Sequence, residues 1–249
     1  MLDFNYMLEI TPSLLRVLHV TLIILIASSA LGLALSILIT AIRIKKVKYL
    51  SRIMDLFISF TRSVPIVLQL FLMYYGFPFL LSLVGIHVSD FSAAAATVLA
   101  LTLYNAGYLS EVLRPAYLAV EKGQHEAADG LGYTPFQKFT RIIAPQVIPI
   151  ALPGWGNALV YLIHDTSLIF TIGVADIMGV ANTLISSSYG AHQIEIYLTI
   201  ALLFWAITVS ADTMVRIFEK KAAKYNLNTG MAPKKNAKWK RRIMVQKEV

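Results

Sequence analysis

Cysteine is absent from this chain of 249 residues. That excludes disulfides, thiolate metal sites and cysteine nucleophiles together, and it leaves the redox compartment open. Charge is scarce as well: 14% of the residues are Asp, Glu, Lys or Arg, against ~25% in an ordinary soluble domain. No segment alternates polar and apolar residues as a strand would, and no internal repeat is evident. What fills the chain is apolar residue, 57% of the total, and such a composition indicates an all-α membrane protein.

A run of about 20 apolar residues is enough to cross the hydrocarbon core. Five segments qualify: Leu14 to Ile42, Ile53 to Leu83, Phe91 to Leu113, Ile148 to Met178 and Ile194 to Val215. The first is too long for a signal peptide, and its basic cluster follows the apolar run instead of preceding it. Of the 22 Lys and Arg, five lie between Arg43 and Arg52, four between Arg114 and Arg141 and eleven from Arg216 onward, whereas the connections near 84–90 and 179–193 have none. The positive-inside rule then gives an N-terminus outside, five crossings and a cytoplasmic C-terminus. Residues 1–218 are expected to form the membrane domain and 219–249 a basic cytoplasmic tail. The tail mixes lysines with an occasional aromatic and reads as an anchor on anionic membrane lipid; nucleic acid is not an expected partner.

The longest polar interruption, residues 121–145, is cytoplasmic on this topology. Gly123 precedes a good helix-forming run, Gln124-His125-Glu126-Ala127-Ala128, and Gly130 and Gly132 suit its termination. Thr134 followed by Pro135 is an N-cap with proline at the first helical position. It opens a second short helix through Ile143, which Pro145 is expected to stop. The spacing predicts helix, glycine turn, helix, lying on the membrane.

Within the apolar runs a few polar residues stand out. Arg62 falls about 15 Å into the second crossing at 1.5 Å per residue, where a guanidinium is costly unless it faces a cavity or a counter-ion. A helix that begins later would instead let it snorkel to the inner interface. Pro65 bends that helix, and Gln69, seven residues after Arg62, is expected on the same face. Asp165, near the middle of the fourth crossing, is expected to answer either Arg62 or a ligand ammonium. A purely structural Arg62–Asp165 pair is the alternative. Neighbouring residues on a helix diverge by about 100°, so His164 and Asp165 do not make a catalytic pair, and no catalytic or metal-ligating set is expected. Asn157, Tyr161 and His164 form a strip at i, i+4, i+7. In the third crossing Asn105, between Tyr104 and Tyr108, offers both donor and acceptor. Glu111 and Arg114 are expected to pair at its inner end, Asp55 and Asp212 to be solvated, and Glu195 to face water outside. One guanidinium, one carboxylate and several neutral polar groups on different helices suit a small zwitterion.

These motifs resemble a family, the membrane subunits of ATP-binding-cassette importers for polar amino acids. Its EAA signature stands here as Glu126, Ala127, Ala128, Gly132, Ile142 and Pro145, with Ala144 in place of the usual leucine. Arg62 to Phe71 is similar to the arginine, glycine, threonine, proline motif of the amino-acid branch, with Ser63 and Val64 substituted. Glu111 to Pro115 and Asp165 to Leu168 also match, although the family commonly has lysine where this chain has His164. Gly179 to Ser188 and Glu195 to Leu198 look most like the cystine permeases. The resemblance implies a substrate site drawn from Arg62, Ser63, Gln69, Asn105, Tyr161, His164 and Asp165, and an ATPase-coupling helix carrying His125, Glu126, Ala127, Ala128 and Gly132. It implies a dimer with an identical or related second permease subunit, a pair of ATP-binding ATPase subunits and an extracytoplasmic solute-binding protein, in a bacterial cytoplasmic membrane. The chain has no phosphate-cradling GxxxxGK[ST]. ATP and Mg are therefore expected in the partner ATPase, with no cofactor and no enzymatic activity in this chain. The substrate expected is L-cystine or a related zwitterionic amino acid. An ion-coupled secondary transporter or channel is the rival reading.

Overall fold

A computed structural model of the chain describes residues 2–87 and 91–228, with side chains as far as 222. Among the described residues all regular structure is helical. The first helix, α1 (Phe4–Ile44), is N-capped by Asp3, whose carboxylate accepts from the Tyr6 N–H at 3.0 Å. It is followed by α2 (Leu50–Ser63), α3 (Ile66–Phe71), a π-turn over Leu72–Gly76, and α4 (Phe77–Leu83). Next come α5 (Ala93–Leu118), α6 (Lys122–Gly130), α7 (Pro135–Lys138), a second π-turn over Phe139–Ile143, and α8 (Ala144–Thr166). A 3₁₀ turn at Ile169–Ile172 leads to α9 (Ile177–Ser187) and α10 (Gln193–Asn228). Four stretches are long and apolar enough to cross a membrane among the described residues: Phe4–Ile44, Ile66–Leu83, Pro135–Thr166 and Gln193–Ala222; α5, expected as the third of five crossings, is a 26-residue helix of membrane length but is not among them.

The interior is organised around α5. On α1 the buried residues Ser28, Gly32 and Ser36 fall on one face, and such small side chains let two helices approach closely where lipid supplies no hydrophobic drive. The approach is measurable: a Cβ added to Gly32 would lie 2.7 Å from Nδ2 of Asn105. A Cβ at Gly107 would strike Oγ1 of Thr61 on α2. One cluster of buried residues joins Leu25, Leu70, Leu101, Leu162 and Ile169 from four helices and the 3₁₀ turn. A second packs Leu14 of α1 against Ile177 and Ile196.

Three expected boundaries differ. The second apolar run is not one helix, because Pro65 lacks an N–H and forces Val64 into an extended conformation (φ −90°, ψ 128°). Pro145, by contrast, does not stop a helix. The π-turn before it resets the hydrogen-bond ladder, the Ala144 N–H donating to the Phe139 carbonyl, and Pro145 falls in the first turn of α8, where an N–H is dispensable. The second helix of the polar interruption therefore runs on into a crossing instead of lying wholly on the membrane. The fourth crossing in turn ends at Thr166 and not near Met178, since Gly173 (φ 89°) turns the chain beyond the 3₁₀ segment. At the C-terminal end α10 passes through 218 without a break and reaches Asn228. The rest of the expected tail, including Lys238 to Arg242, lies outside the described residues, as do 88–90 of the connection between the second and third apolar runs.

Candidate functional site

Shortening the fourth crossing relocates its polar residues. His164 and Asp165 sit in the last turn of α8, not at its centre. Asn157, Tyr161 and His164 are all exposed and hold the expected strip along one face of that helix. Across from them on α5, Tyr108 meets Tyr161 edge to face, with ring centroids 5.8 Å apart. The Tyr104 phenol lies within electrostatic reach of Asp165, Tyr108 and Tyr161. Oδ2 of Asp165 is buried and has no hydrogen-bond partner within the chain. The arrangement is a carboxylate near Tyr104, with the Tyr108–Tyr161 pair beyond that phenol, on two packed helices and open on one side because Tyr161 is 51% exposed. Negative ring faces and an unanswered carboxylate together suit an organic cation such as an ammonium group.

Arg62 is elsewhere. It ends α2 beside the break, and its Nη1 lies 3.4 Å from Oε2 of Glu111, with the arginine side chain 53% exposed. The expected partner, Asp165, is not the one it meets. Glu111 in turn pairs with Arg43 and Arg62 rather than with Arg114, and Nε of Arg43 donates to Asp55 at 2.7 Å. Asp55 is thus paired and not merely solvated; Asp212 likewise accepts from Arg216 at 2.7 Å one helical turn on. Glu195, expected to face water, is buried and accepts from the Asp3 N–H at 3.2 Å, pinning the start of α1 to α10. Nothing in the sequence pointed to Arg43, the centre of this network, because its partners are 12 and 68 residues away.

Ser63 is exposed at the end of α2. Gln69 is buried and faces the break: its amide donates to the carbonyls of Thr61 at 2.9 Å and Val64 at 2.8 Å. Those acceptors lose helical donors where Pro65 interrupts the ladder, so the amide closes the gap. Asn105, also buried, packs its amide over Gly32 of α1, away from the tyrosines. The geometry therefore brings together Tyr161, His164 and Asp165 of the expected set, adds Tyr104 and Tyr108, and sets Asn105 and Gln69 into helix packing. One relation survives along α5: Tyr104, Tyr108 and Glu111 occupy i, i+4 and i+7, one face of the helix, with Asp165 near its first member and Arg62 at its last.

The polar interruption folds as a compact helix pair. In α6 Glu126 and Ala127 are exposed, Ala128 is buried, and the His125 ring lies 5.5 Å from that of Tyr117. Gly132 (φ 73°) makes the turn, its conformation open to glycine at no steric cost. Thr134 and Gln137 form a reciprocal capping box at the start of α7. Nζ of Lys138 reaches both carboxylate oxygens of Asp129 at 2.7 and 2.8 Å, tying the two helices together. Leu131 and Phe136 are left 77% and 76% exposed on this helix pair, which also exposes Glu126; exposed large apolar residues of this kind mark a protein contact.

Apolar helices of membrane length, interrupted by a capped polar helix pair with exposed apolar residues, define a membrane protein with a docking element outside the bilayer. Residues 32–224 match the family model described as the binding-protein-dependent transport system inner membrane component, and the chain belongs to that family. It is 36% identical over 222 residues to the L-cystine transport system permease protein TcyL of Bacillus subtilis, covering 89% of this chain and 92% of that one. To the probable amino-acid ABC transporter permease protein PatM of Vibrio harveyi it is 39% identical over 208 residues, 83% of this chain and 90% of the other. The nopaline transport system permease protein NocM of Agrobacterium fabrum is 32% identical over 221 residues, with 88% and 91% covered. Among solved structures, an amino acid ABC transporter crystallised with histidines superposes with a TM-score of 0.75 at 28% identity, covering 89% of this chain and 99% of that one.

Proposed function

We propose that this chain is the permease of an ATP-driven importer for a polar amino acid, with L-cystine as the preferred substrate. The observation that carries the reading is the Asp165 carboxylate, buried on one oxygen without a partner in the chain and near Tyr104, which in turn adjoins the Tyr108–Tyr161 pair. The names of the relatives support amino-acid transport, and they span cystine, nopaline, arginine and glutamine. Spacing favours an extended substrate with charge at both ends, and cystine is one of these. Asp165 stands near Tyr104 and Arg62 at Glu111, seven residues further along α5, so the two charges are separated by about 10 Å along the axis. One α-amino acid head group cannot touch both. A double-headed zwitterion can, with one ammonium at Asp165 and the far carboxylate at Arg62. Only one nitrogen of Arg62 is engaged by Glu111, which leaves donors for that carboxylate.

In this reading α5, 26 residues and about 39 Å long, is the third of five crossings. The N-terminus is outside and the C-terminus cytoplasmic, as the lysines dictate. The open tyrosine face is completed by a second permease subunit, identical or related. The α6–α7 pair inserts Glu126, Leu131 and Phe136 into a partner ATPase, which supplies the ATP and Mg site, and an extracytoplasmic binding protein delivers the substrate. His125 and Ala128 hold α6 against the membrane domain, and Gly132 sets its angle to α7.

Two measurements test the proposal. Replacing Asp165 by Asn removes the charge from the site and is expected to cut uptake at least tenfold, since hydrogen bonds to charged groups are worth about 1.5–3 kcal/mol, while assembly with the ATPase is kept. Wild-type uptake by that variant refutes the site. Glu126→Lys is expected to weaken ATPase association in a pull-down without unfolding the permease, and a fully coupled complex refutes the docking role. Thermal-shift screening of the cognate binding protein against cystine, glutamine, arginine and nopaline decides the substrate. Robust accumulation in vesicles driven by an ion gradient alone, with no ATPase present, would replace the whole reading with a secondary transporter.

A further inference from the structure

Three apolar cavities lie end to end along one side of α8. The first, about 460 Å³, opens between the end of α1, the end of α5 and the α7 region, and Lys45 and Lys138 are among its lining residues. The second, about 520 Å³, shares Leu113 and Val147 with it and reaches Trp155 and Lys221. The third, about 730 Å³, shares Leu33 and Trp155 with the second and continues between α1 and α10 with no charged residue in its lining. Together they make one crevice, greasy throughout and cationic at one end only.

The dimensions are those of a lipid leaflet. From Val147 to Trp155 the second cavity follows eight residues of α8, about 12 Å, against about 15 Å for half of the hydrocarbon core. Lys45 follows the last residue of α1, and Lys221 belongs to the charged run Glu219-Lys220-Lys221 that follows the apolar segment 194–215, so both stand where a membrane crossing meets water. Lys138 is held by Asp129. Lys45 and Lys221 take part in no ion pair among the described residues.

We propose that this crevice binds one anionic phospholipid, its phosphate headgroup at the mouth flanked by Lys45 and Lys221 and an acyl chain laid along α8 to Trp155. Basic pockets between membrane helices select anionic headgroups in this way. A zwitterionic lipid would fill the apolar part equally well, but its headgroup cation offsets its phosphate, so net charge is what gives selectivity. The orientation proposed above places the site in the inner leaflet; the binding itself does not depend on transport.

Trp155, at the joint between the second and third cavities, reports occupancy. The complete transporter is reconstituted in phosphatidylcholine vesicles containing a minor fraction of brominated phosphatidylglycerol or of brominated phosphatidylcholine. The fluorescence of the same complex carrying Trp155→Phe is subtracted, so that the difference belongs to Trp155 alone. Brominated phosphatidylglycerol is expected to quench that signal at a lower mole fraction than brominated phosphatidylcholine. Lys45→Gln and Lys221→Gln are each expected to weaken its binding about fivefold, the effect of one lysine near an anionic lipid, and Lys→Arg at either position to restore it. Equal quenching by the two lipids reduces the crevice to ordinary lipid contact and overturns the proposal. No quenching by either shows that protein, such as a second permease subunit, covers the crevice, and overturns it as well. Because the readout is fluorescence, it stands whether or not the complex imports an amino acid.

Discussion

Two stretches of this molecule meet proline inside a long apolar run, and they answer it in opposite ways. At Val64–Pro65 the helix breaks, and the Gln69 amide closes the gap by donating to the Thr61 and Val64 carbonyls. At Pro145 the helix continues, because the π-turn over Phe139–Ile143 shifts the ladder by one residue and places the proline in a first turn. The difference teaches that proline removes a donor, and that the neighbouring residues decide whether the chain bends there or absorbs the loss. In the first case Arg62 is presented on a frayed helix end; in the second, α7, the π-turn and α8 form one helical run from Pro135 to Thr166.

The contrast can be broken from either side. The largest stability effect is expected from Gln69→Leu, which leaves two carbonyls without donors in a buried place. At about 1–3 kcal/mol for each unsatisfied group, the melting temperature of the purified complex should fall clearly, while Gln69→Glu, which lacks the amide donors, should not rescue it. Pro65→Ala sharpens the comparison. It allows α2 and α3 to join, turns Arg62 away from Glu111, and is expected to lower uptake about tenfold, the weight of one hydrogen bond to a charged group, with the melting temperature held or raised. Pro145→Ala should do least, a change within about 0.5 kcal/mol, since the π-turn has already relieved that position of its N–H. If Pro145→Ala proves as costly as Gln69→Leu, the two prolines are not handled differently after all.

Much of this architecture was legible in the sequence, and the illegible parts share a cause. The helix pair of the polar interruption could be read from Thr134-Pro135 and Gly132, because caps and turns are set by residues adjacent in the chain. The strip of Asn157, Tyr161 and His164 could be read for the same reason, through helical periodicity. The partners of Arg62 and Glu111 could not, since hydropathy places residues at depths but does not rotate one helix against another. Arg43 joins Asp55 and Glu111 only once α1, α2 and α5 are packed. Asn105 looked like a ligand group because polarity in an apolar run is ambiguous between binding and packing, and only its fit over Gly32 decides. The end of the fourth crossing was misplaced because Ile169 to Met178 is as apolar as the helix before it, and the turn at Gly173 is a backbone event that hydropathy does not register.

The uninterrupted run from Pro135 to Thr166 has 32 residues and a length of about 48 Å. One end carries the capped turn that follows α6, and the other carries Asp165. With no loop interposed there is no slack between the two, and length acts as gearing. A tilt of about 5° about one end would carry the other by about 4 Å over such a span, more than the reach of a hydrogen bond. A movement too small to reshape the helix pair is thus enough to shift the Asp165 carboxylate clear of any group set to meet it.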